Sequence, residues 1–368
     1  MVDRPDPHPD AEGGVAPVRG AAGVPTLESV AAAAGVSRAT ASRVLNGSPR
    51  VSEAARAGVL AAAERLSYVP NGAARMLVTR RSDAVAFVVC EQEEVFFSDP
   101  FFATVLKGAH RVVVRSGRQV LFVVVADEGD RRRLERFAAG GHLDAAMFLS
   151  VHRGEHSPAR LAELGMPVVV AGRPPAGVGA QPHVDTDNVG GGRLAAGHLL
   201  AVGRRRPVVL TGPPDMPSSA DRVRGLREVL AAGGVHLPDA AAEPGHYSVE
   251  GGRTAMALLL DRFPDLDGVF AANDLMAVGA LGVLRERGRR VPEDVAVVGY
   301  DDIPLASATS PPLTTVHQPL EELGRRMATA LVRALDGPPG GDPAGTAEVV
   351  QAALGEPLQT RLVVRGSA

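Results

Sequence analysis

The sequence predicts two kinds of fold in one chain: a small all-α module near the N-terminus, then a larger α/β body of parallel sheets covered by helices on both faces. Three observations predict it. The chain has 368 residues, more than one ordinary hydrophobic core serves. Residues 26–70 carry helix signals and no strand pattern. From Ala84 onward, short apolar runs alternate with amphipathic stretches, the pattern of strands feeding crossover helices.

Composition narrows the class. Hydrophobic residues make up 45% of the chain and charged residues 22%, the balance of a soluble globular protein. Runs such as Val120–Val125 are strand-sized and far short of a membrane span. The first residues carry acids and prolines instead of a basic segment leading into an apolar one, so no secretory signal is expected. Cys90 is the single cysteine; it has no internal disulfide partner, sits in an apolar run, and reads as a small core hydrophobe in a reducing cytoplasm. The net charge of −3 is unevenly spread. Residues 26–81 hold eight arginines against three glutamates. A basic module on an acidic body is the electrostatic outline of a nucleic-acid binder.

Residues 1–25, rich in Pro, Gly and Asp, read as a disordered tail. Leu27–Ala33 reads as a helix with Thr26 as its N-cap. Ala34-Gly35-Val36 makes a tight turn in which Gly35 takes a positive φ at little cost. Ser37 caps a second helix reaching about Leu45, and Asn46-Gly47-Ser48-Pro49 breaks it. Ser52 caps a third, with Val59, Ala63 and Leu66 on one face. Pro70 ends that helix, and a short segment to Arg81 connects it to the body. There the expected strands are Val85–Cys90, Val120–Val125, Ala145–Leu149, Val168–Ala171, Val208–Thr211, Gly268–Ala271 and Val295–Gly299. The expected helices include Phe102–Arg115, Ser219–Ala231, Val249–Arg262 and Asp274–Arg287. So long a body implies two sheet subdomains.

Two small helices about a Gly-containing turn make a helix-turn-helix. Thr26–Leu77, with its GVS-x-x-T-x-SRVLNG core and Y-x-PN-x-x-AR-x-L segment, resembles the headpiece of the lactose-repressor (LacI/GalR) family of bacterial transcription regulators almost position by position. The resemblance makes the helix after Ser37 a recognition helix. Its first side chains, Arg38, Ala39 and Thr40, then face base edges in the major groove, with Arg43 one turn further. Arginine pairs with guanine O6 and N7, and Ala39 offers only a methyl contact. Ser37, Ser42 and Asn46 suit phosphates. Arg50 is placed to reach a base or a phosphate, whereas Arg56 and Arg65 read as solvated. Val30, Ala34, Val36 and Val44 point inward. Asn71–Leu77 resembles the family's hinge helix, in which Leu77 either wedges the minor groove or packs as linker.

The resemblance runs on through Ala84–Ser367, carried by DPFF (Asp99–Phe102), FAANDLMAVGA (Phe270–Ala280), VPEDVAVVGYDD (Val291–Asp302), PPLTTVHQP (Pro311–Pro319) and LVVRG (Leu362–Gly366). It implies a periplasmic-binding-protein-like core of two Rossmann-like subdomains, joined by three crossovers and closing on a ligand. The implied division is a tail at 1–25, a helix-turn-helix domain at 26–70, a hinge at 71–82 and a sensing domain at 83–368. Within the last, one subdomain spans about 83–184 and 316–346, and the other about 185–315 and 347–368. It also implies that Arg222, Asn273 and Asp301 meet the effector, with Ser150 and Tyr247 lining the cleft. Carboxylate, guanidinium and amide together suit the hydroxyls of a sugar. Phe102 is positioned to stack on a sugar ring, although either Phe101 or Phe102 can be core. Asp274 reads as a helix cap and Asp302 as solvent-facing.

No catalytic set, metal site or cofactor fingerprint stands out. His152 and His156 are four apart in a loop-like stretch, and GGGR at Gly190–Arg193 is not a dinucleotide fingerprint. The expected protein is a cytoplasmic regulator and not an enzyme. Its expected partners are a near-palindromic double-stranded operator, a small-molecule effector of sugar type and a second copy of itself; no membrane partner is expected.

Overall fold

The computed structural model describes residues 25–45, 48, 50–68, 81–176, 178–337 and 343–368. The expected tail, Asn46 and the hinge segment with Leu77 lie outside them. Two compact units divide between Arg80 and Arg81.

The first unit holds α1 (Leu27–Ala33), α2 (Arg38–Leu45) and α3 (Glu53–Arg65). Thr26 and Ser29 cap α1 reciprocally, and Gly35 turns the chain at φ +64°. Ser52 caps α3 by accepting from the Ala55 N–H. The core is small and alanine-rich: Val30, Ala31, Ala41, Val44, Val59, Ala62 and Ala63 are buried, with Ala34, Val36, Leu66 and Tyr68 partly so. Two arginines expected to be merely solvated serve this core. Arg56 donates to the Ser48 carbonyl at 2.6 Å, tying α3 to the segment after α2. Arg65 donates to the Ala33 carbonyl at the end of α1.

The second unit contains two sheets. The first comprises β1 (Ala84–Val89), β2 (Gln119–Val124), β3 (Ala145–Leu149), β4 (Val168–Ala171) and β5 (His183–Val184). All are parallel, in the order β2-β1-β3-β4-β5. Side chains alternate across it. Val85, Phe87, Val89, Met147 and Leu149 face a core shared with α5 (Pro100–Arg115) and α12 (Leu320–Asp336). Ala86, Val88, Ala146, Phe148 and Val170 face α6 (Glu128–Ala139) and α7 (Ser157–Glu163). A short helix, α4 (Glu93–Ser98), precedes α5. Gly108 and Gly324 let α5 and α12 touch backbone to backbone, since a β-carbon on either would overlap a carbonyl of the other helix.

The second sheet comprises β6 (Pro207–Thr211), β7 (Ala242–Pro244), β8 (Gly268–Ala271), β9 (Ala296–Asp301), β10 (Thr314–His317) and β11 (Arg361–Val363). Their order is β11-β10-β9-β8-β6-β7, with β11 alone antiparallel. It is covered by α8 (Asn188–Ala201), α9 (Pro217–Ala232), α10 (Val249–Arg262) and α11 (Asp274–Glu286). The GGGR run has a packing reason. A side chain at Gly192 would overlap the Arg222 carbonyl, and one at Gly191 the Tyr300 hydroxyl, so α8 lies directly on α9.

The last helix, α13 (Pro343–Leu354), contributes Val350 and Leu354 to the same core as Leu331 and Leu335 of α12. Residues 347–354, expected with the second sheet, therefore pack with the first, and the final crossing comes after Leu354. Three strands of chain join the subdomains side by side. The Leu358 N–H donates to the Asp185 carbonyl and the Asp187 N–H to the Leu358 carbonyl, each at 2.8 Å. The Thr186 hydroxyl donates to Gln318 Oε1 at 2.6 Å. Among the described residues no helix is long and apolar enough to cross a membrane.

Candidate functional site

Helix α2 presents a divided surface. Ala41 and Val44 are buried, which turns Arg38, Ala39 and Arg43 outward, with Thr40 and Ser42 half-buried. The Ser37 hydroxyl accepts from the Thr40 N–H at 3.1 Å and caps the helix. Arg38 Nε meets Glu28 on α1 at 2.8 Å. Arg43 has no polar partner among the described residues, and the exposed Arg50 is held by its backbone N–H on Ser48 Oγ. A helix held by its inner face, with free or loosely paired guanidinium groups on the outer one, is what groove reading requires.

Strand order positions the second site. Both sheets reverse order between neighbouring strands, β1 and β3 in one and β6 and β8 in the other. Parallel sheets take ligands outside the carboxyl ends of their strands at such a reversal. The structure brings all six expected effector residues to one cavity there, which opens to solvent. Ser150 follows β3, Tyr247 follows β7, Asn273 follows β8, and Asp301 ends β9. Arg222 comes from α9. Three of these residues sit on left-handed backbone: Ser150 at φ +56°, Tyr247 at +55° and Asp301 at +106°. Non-glycine residues adopt such angles at a cost that the surrounding fold must offset.

Arg222 organises the second-subdomain wall. Its Nε donates to Asn188 at 2.9 Å and its Nη1 to the Ala272 carbonyl at 2.5 Å. Its guanidinium stacks 3.8 Å from the Tyr300 ring centre and lies 3.6 Å from Asp301 Oδ1. Nη2 has no protein hydrogen bond among the described residues. Asp301 also accepts from Gln318 at 2.5 Å. Burial pushes its carboxyl up to about 6, against the opposing pull of Arg222 and Gln318. Across the cavity, Asp99 caps α5 by accepting from the Phe101 N–H at 2.9 Å. Burial and the nearby charge of Asp301 push Asp99 to about 7. Asp99 and Glu91 were not among the expected effector residues. The signal for Asp99 was an Asp directly before a proline at a helix start, the N-cap followed by the N1 position.

Several expected roles change. Asn273, not Asp274, is the cap of α11, accepting from the Met276 N–H at 2.9 Å while its amide donates to the Tyr247 carbonyl at 3.0 Å. Asp274 is fully buried and accepts from the Ile303 N–H and the Thr315 hydroxyl, tying α11 to the segments after β9 and within β10. Asp302 is not solvent-facing; it pairs with Arg365 at 2.6 Å and His317 at 3.0 Å. Phe102 lines the cavity but is only 3% exposed and packs in the first core. Phe101, beside it and half-buried, offers the larger ring surface. Asp274→Ala should strand two buried donors and cost about 2–4 kcal/mol, lowering the unfolding midpoint by several degrees. An unchanged thermal midpoint would contradict this anchoring role. Among the described residues no cluster of His, Cys, Asp or Glu could hold a metal ion, and Cys90 is a buried free thiol.

Comparison with known proteins agrees with both halves. The profile described as bacterial regulatory proteins, lacI family, matches residues 26–71, and a periplasmic binding protein-like domain profile matches residues 196–367. The HTH-type transcriptional regulator CelR of Thermobifida fusca is 46% identical over 345 residues, covering 93% of this chain and 98% of that protein. A solved transcriptional regulator CelR–cellobiose complex is 42% identical, with a TM-score of 0.70, covering 94% of this chain and all of the other. The lac repressor dimer bound to operator and the anti-inducer ONPF is 25% identical, with a TM-score of 0.74 over 93% of this chain and 98% of that one. With a helix-turn-helix headpiece, a two-sheet sensor body and relatives this similar along nearly their whole length, the chain belongs to the LacI/GalR family of DNA-binding transcription regulators.

Proposed function

We propose that this protein is a cytoplasmic repressor that binds a near-palindromic operator as a homodimer and is released by a glucose disaccharide of the cellobiose type. The observation that carries the reading is the Arg222–Asp301 pair, buried on one wall of a cavity whose other wall offers Asp99, Ser150 and Phe101. A sugar hydroxyl can donate to Asp301 while another accepts from Arg222 Nη2, and an aromatic ring covers the apolar face of a pyranose. The CelR–cellobiose structure supports a disaccharide as the occupant. On the DNA side we assign Arg38, Ala39, Thr40 and Arg43 to base edges, and Ser37, Ser42 and Arg50 to the backbone. Fluorescence-anisotropy titrations of labelled operator, with a panel of mono- and disaccharides, test it. Cellobiose should release the operator where glucose does not; release by no sugar would remove the effector assignment.

The two buried acids of the cavity give a pH prediction. An aspartate in the unfolded chain titrates near about 3.9, whereas folded Asp99 sits at about 7 and Asp301 at about 6. The folded protein thus binds more protons than the unfolded chain between those values. The contribution of these groups is fully present below about pH 4 and lost as pH rises through 6 and 7. Asp99→Asn removes the part due to Asp99 while keeping a capping oxygen. The variant should therefore gain stability relative to the parent as pH goes from 5 to 8, measured by denaturant unfolding. A difference independent of pH would show that Asp99 is ionised throughout.

A further inference from the structure

The rim of the cavity carries a contact that the effector reading does not use. His152 follows β3 in the first subdomain. Its Nε2 lies 3.1 Å from Glu91 Oε1, beyond the end of β1 in the same subdomain. Its Nδ1 lies 3.0 Å from Asp215 Oδ2, in the loop between β6 and α9 of the second subdomain. One imidazole therefore joins the two sides of the cleft. The Arg153 N–H adds a second link to the same Asp215 oxygen at 3.3 Å. Glu91 lines the cavity and also accepts from the Ser150 hydroxyl at 2.6 Å.

The protonation state follows from this geometry. A neutral imidazole donates from one nitrogen only, and its other lone pair would face a carboxylate oxygen. With an anion at each nitrogen, both must donate, so the ring is an imidazolium. The hydrogen bond to Glu91 is the largest cause; it outweighs partial burial and, with the Asp215 contact, pushes His152 up to about 9. Glu91 and Asp215 are the charged groups that its ring nitrogens meet.

We propose that His152 is a positioning residue for effector recognition: it fixes the carboxylate of Glu91 toward the cavity and clasps it to Asp215 across the cleft, so that closure over the effector depends on this bridge. Arg173 and Asp221, 2.6 Å apart, make a second cross-cleft pair, but Asp221 also holds Arg224 of its own helix, and Arg173 meets the cavity carboxylate of Asp185 through its backbone N–H. His152 links a cavity acceptor to the opposite subdomain through a single side chain. An effector bound beneath the bridge then leaves more slowly while the bridge holds.

The proposal rests on the cavity being the effector site, and the test separates the two. His152→Gln, Asp215→Asn and the double variant are titrated with cellobiose by calorimetry. Each single change should weaken binding about tenfold, the order expected for losing a hydrogen bond to a charged group, and the double variant should be no weaker than the weaker single. Independently of ligand, NMR follows the imidazole of His152, assigned among the ten histidines by its loss in His152→Gln. Its titration midpoint in the unliganded protein should fall in Asp215→Asn. An unmoved midpoint overturns the clasp whatever the sugar does, and additive losses in the double variant overturn its role in binding. A midpoint that falls in a protein that binds no cellobiose supports the clasp and overturns the choice of effector instead.

Discussion

Asp301→Ala protein is expected to stay on its operator at cellobiose concentrations that release the parent. Asp301 is 5% exposed and faces Arg222 at 3.6 Å. On the proposed reading it is the acceptor for a sugar hydroxyl on that wall. Removing it deletes a charged acceptor, worth about 1.5–3 kcal/mol, and leaves the Arg222 guanidinium without its counter-charge. A loss of effector affinity on the order of a hundredfold follows. Alanine at φ +106° carries its own backbone cost, so Asp301→Asn is the companion variant. Asparagine tolerates that region better and keeps an oxygen for Gln318. Both variants should keep the parent's operator affinity in the absence of sugar, and both should fail to respond. An Asp301→Asn protein released at the parent's cellobiose concentration would take Asp301 out of the site.

Arg43→Ala should lose affinity for one operator base pair and not for the operator as a whole. Arg43 is exposed, one turn into α2, with no polar partner among the described residues. Its loss should therefore leave the headpiece fold intact. A bidentate contact to guanine accounts for about 1–3 kcal/mol of discrimination at one position. The variant should bind operators changed at that base pair as well as the original. Equal weakening against every operator, with a shallower salt dependence, would make Arg43 a phosphate contact. Arg56→Ala is the contrast. Because Arg56 holds the Ser48 carbonyl, its loss should loosen the segment after α2 and lower headpiece stability without altering base preference.

Much of this arrangement was legible in the sequence, and the exceptions have physical reasons. The headpiece was legible because its signals are local: Thr26, Ser37 and Ser52 cap helices, and Gly35 turns between two of them. The central strands β1, β3, β4, β6, β8 and β9 were legible as short apolar runs, since a strand buried on both faces has no polar side to dilute it. Strands β5, β7, β10 and β11 span only two to four residues each and carry His, Glu, Pro, Thr or Arg among them, so they show neither a period nor an apolar run. Helix α12 is different. Leu320, Leu323, Met327, Leu331 and Leu335 line one face, and that spacing was available in the sequence.

At the site, Asn273 and Asp301 could be located because each stands at or beside a strand end, inside a motif shared with the LacI/GalR family, whereas Arg222, within α9, was located by the resemblance alone. The Glu91–His152–Asp215 bridge could not, since His152 and Asp215 are 63 residues apart and only the closure of two subdomains brings them together. Asn273 and Asp274 exchanged roles for a simpler reason. Either side chain can cap a helix, and a displacement of one position decides which of them points into the core.

Control by the effector is the central claim, and coupling of this kind is reciprocal. If cellobiose weakens operator binding by a given factor, operator must weaken cellobiose binding by the same factor. Calorimetric titration of cellobiose into the free protein and into the operator-bound protein measures that factor directly. The account predicts weaker binding to the operator complex, by the ratio found independently from operator affinities with and without the sugar. Equal cellobiose affinity in the two states would contradict it, because a ligand that does not distinguish them cannot move the protein between them.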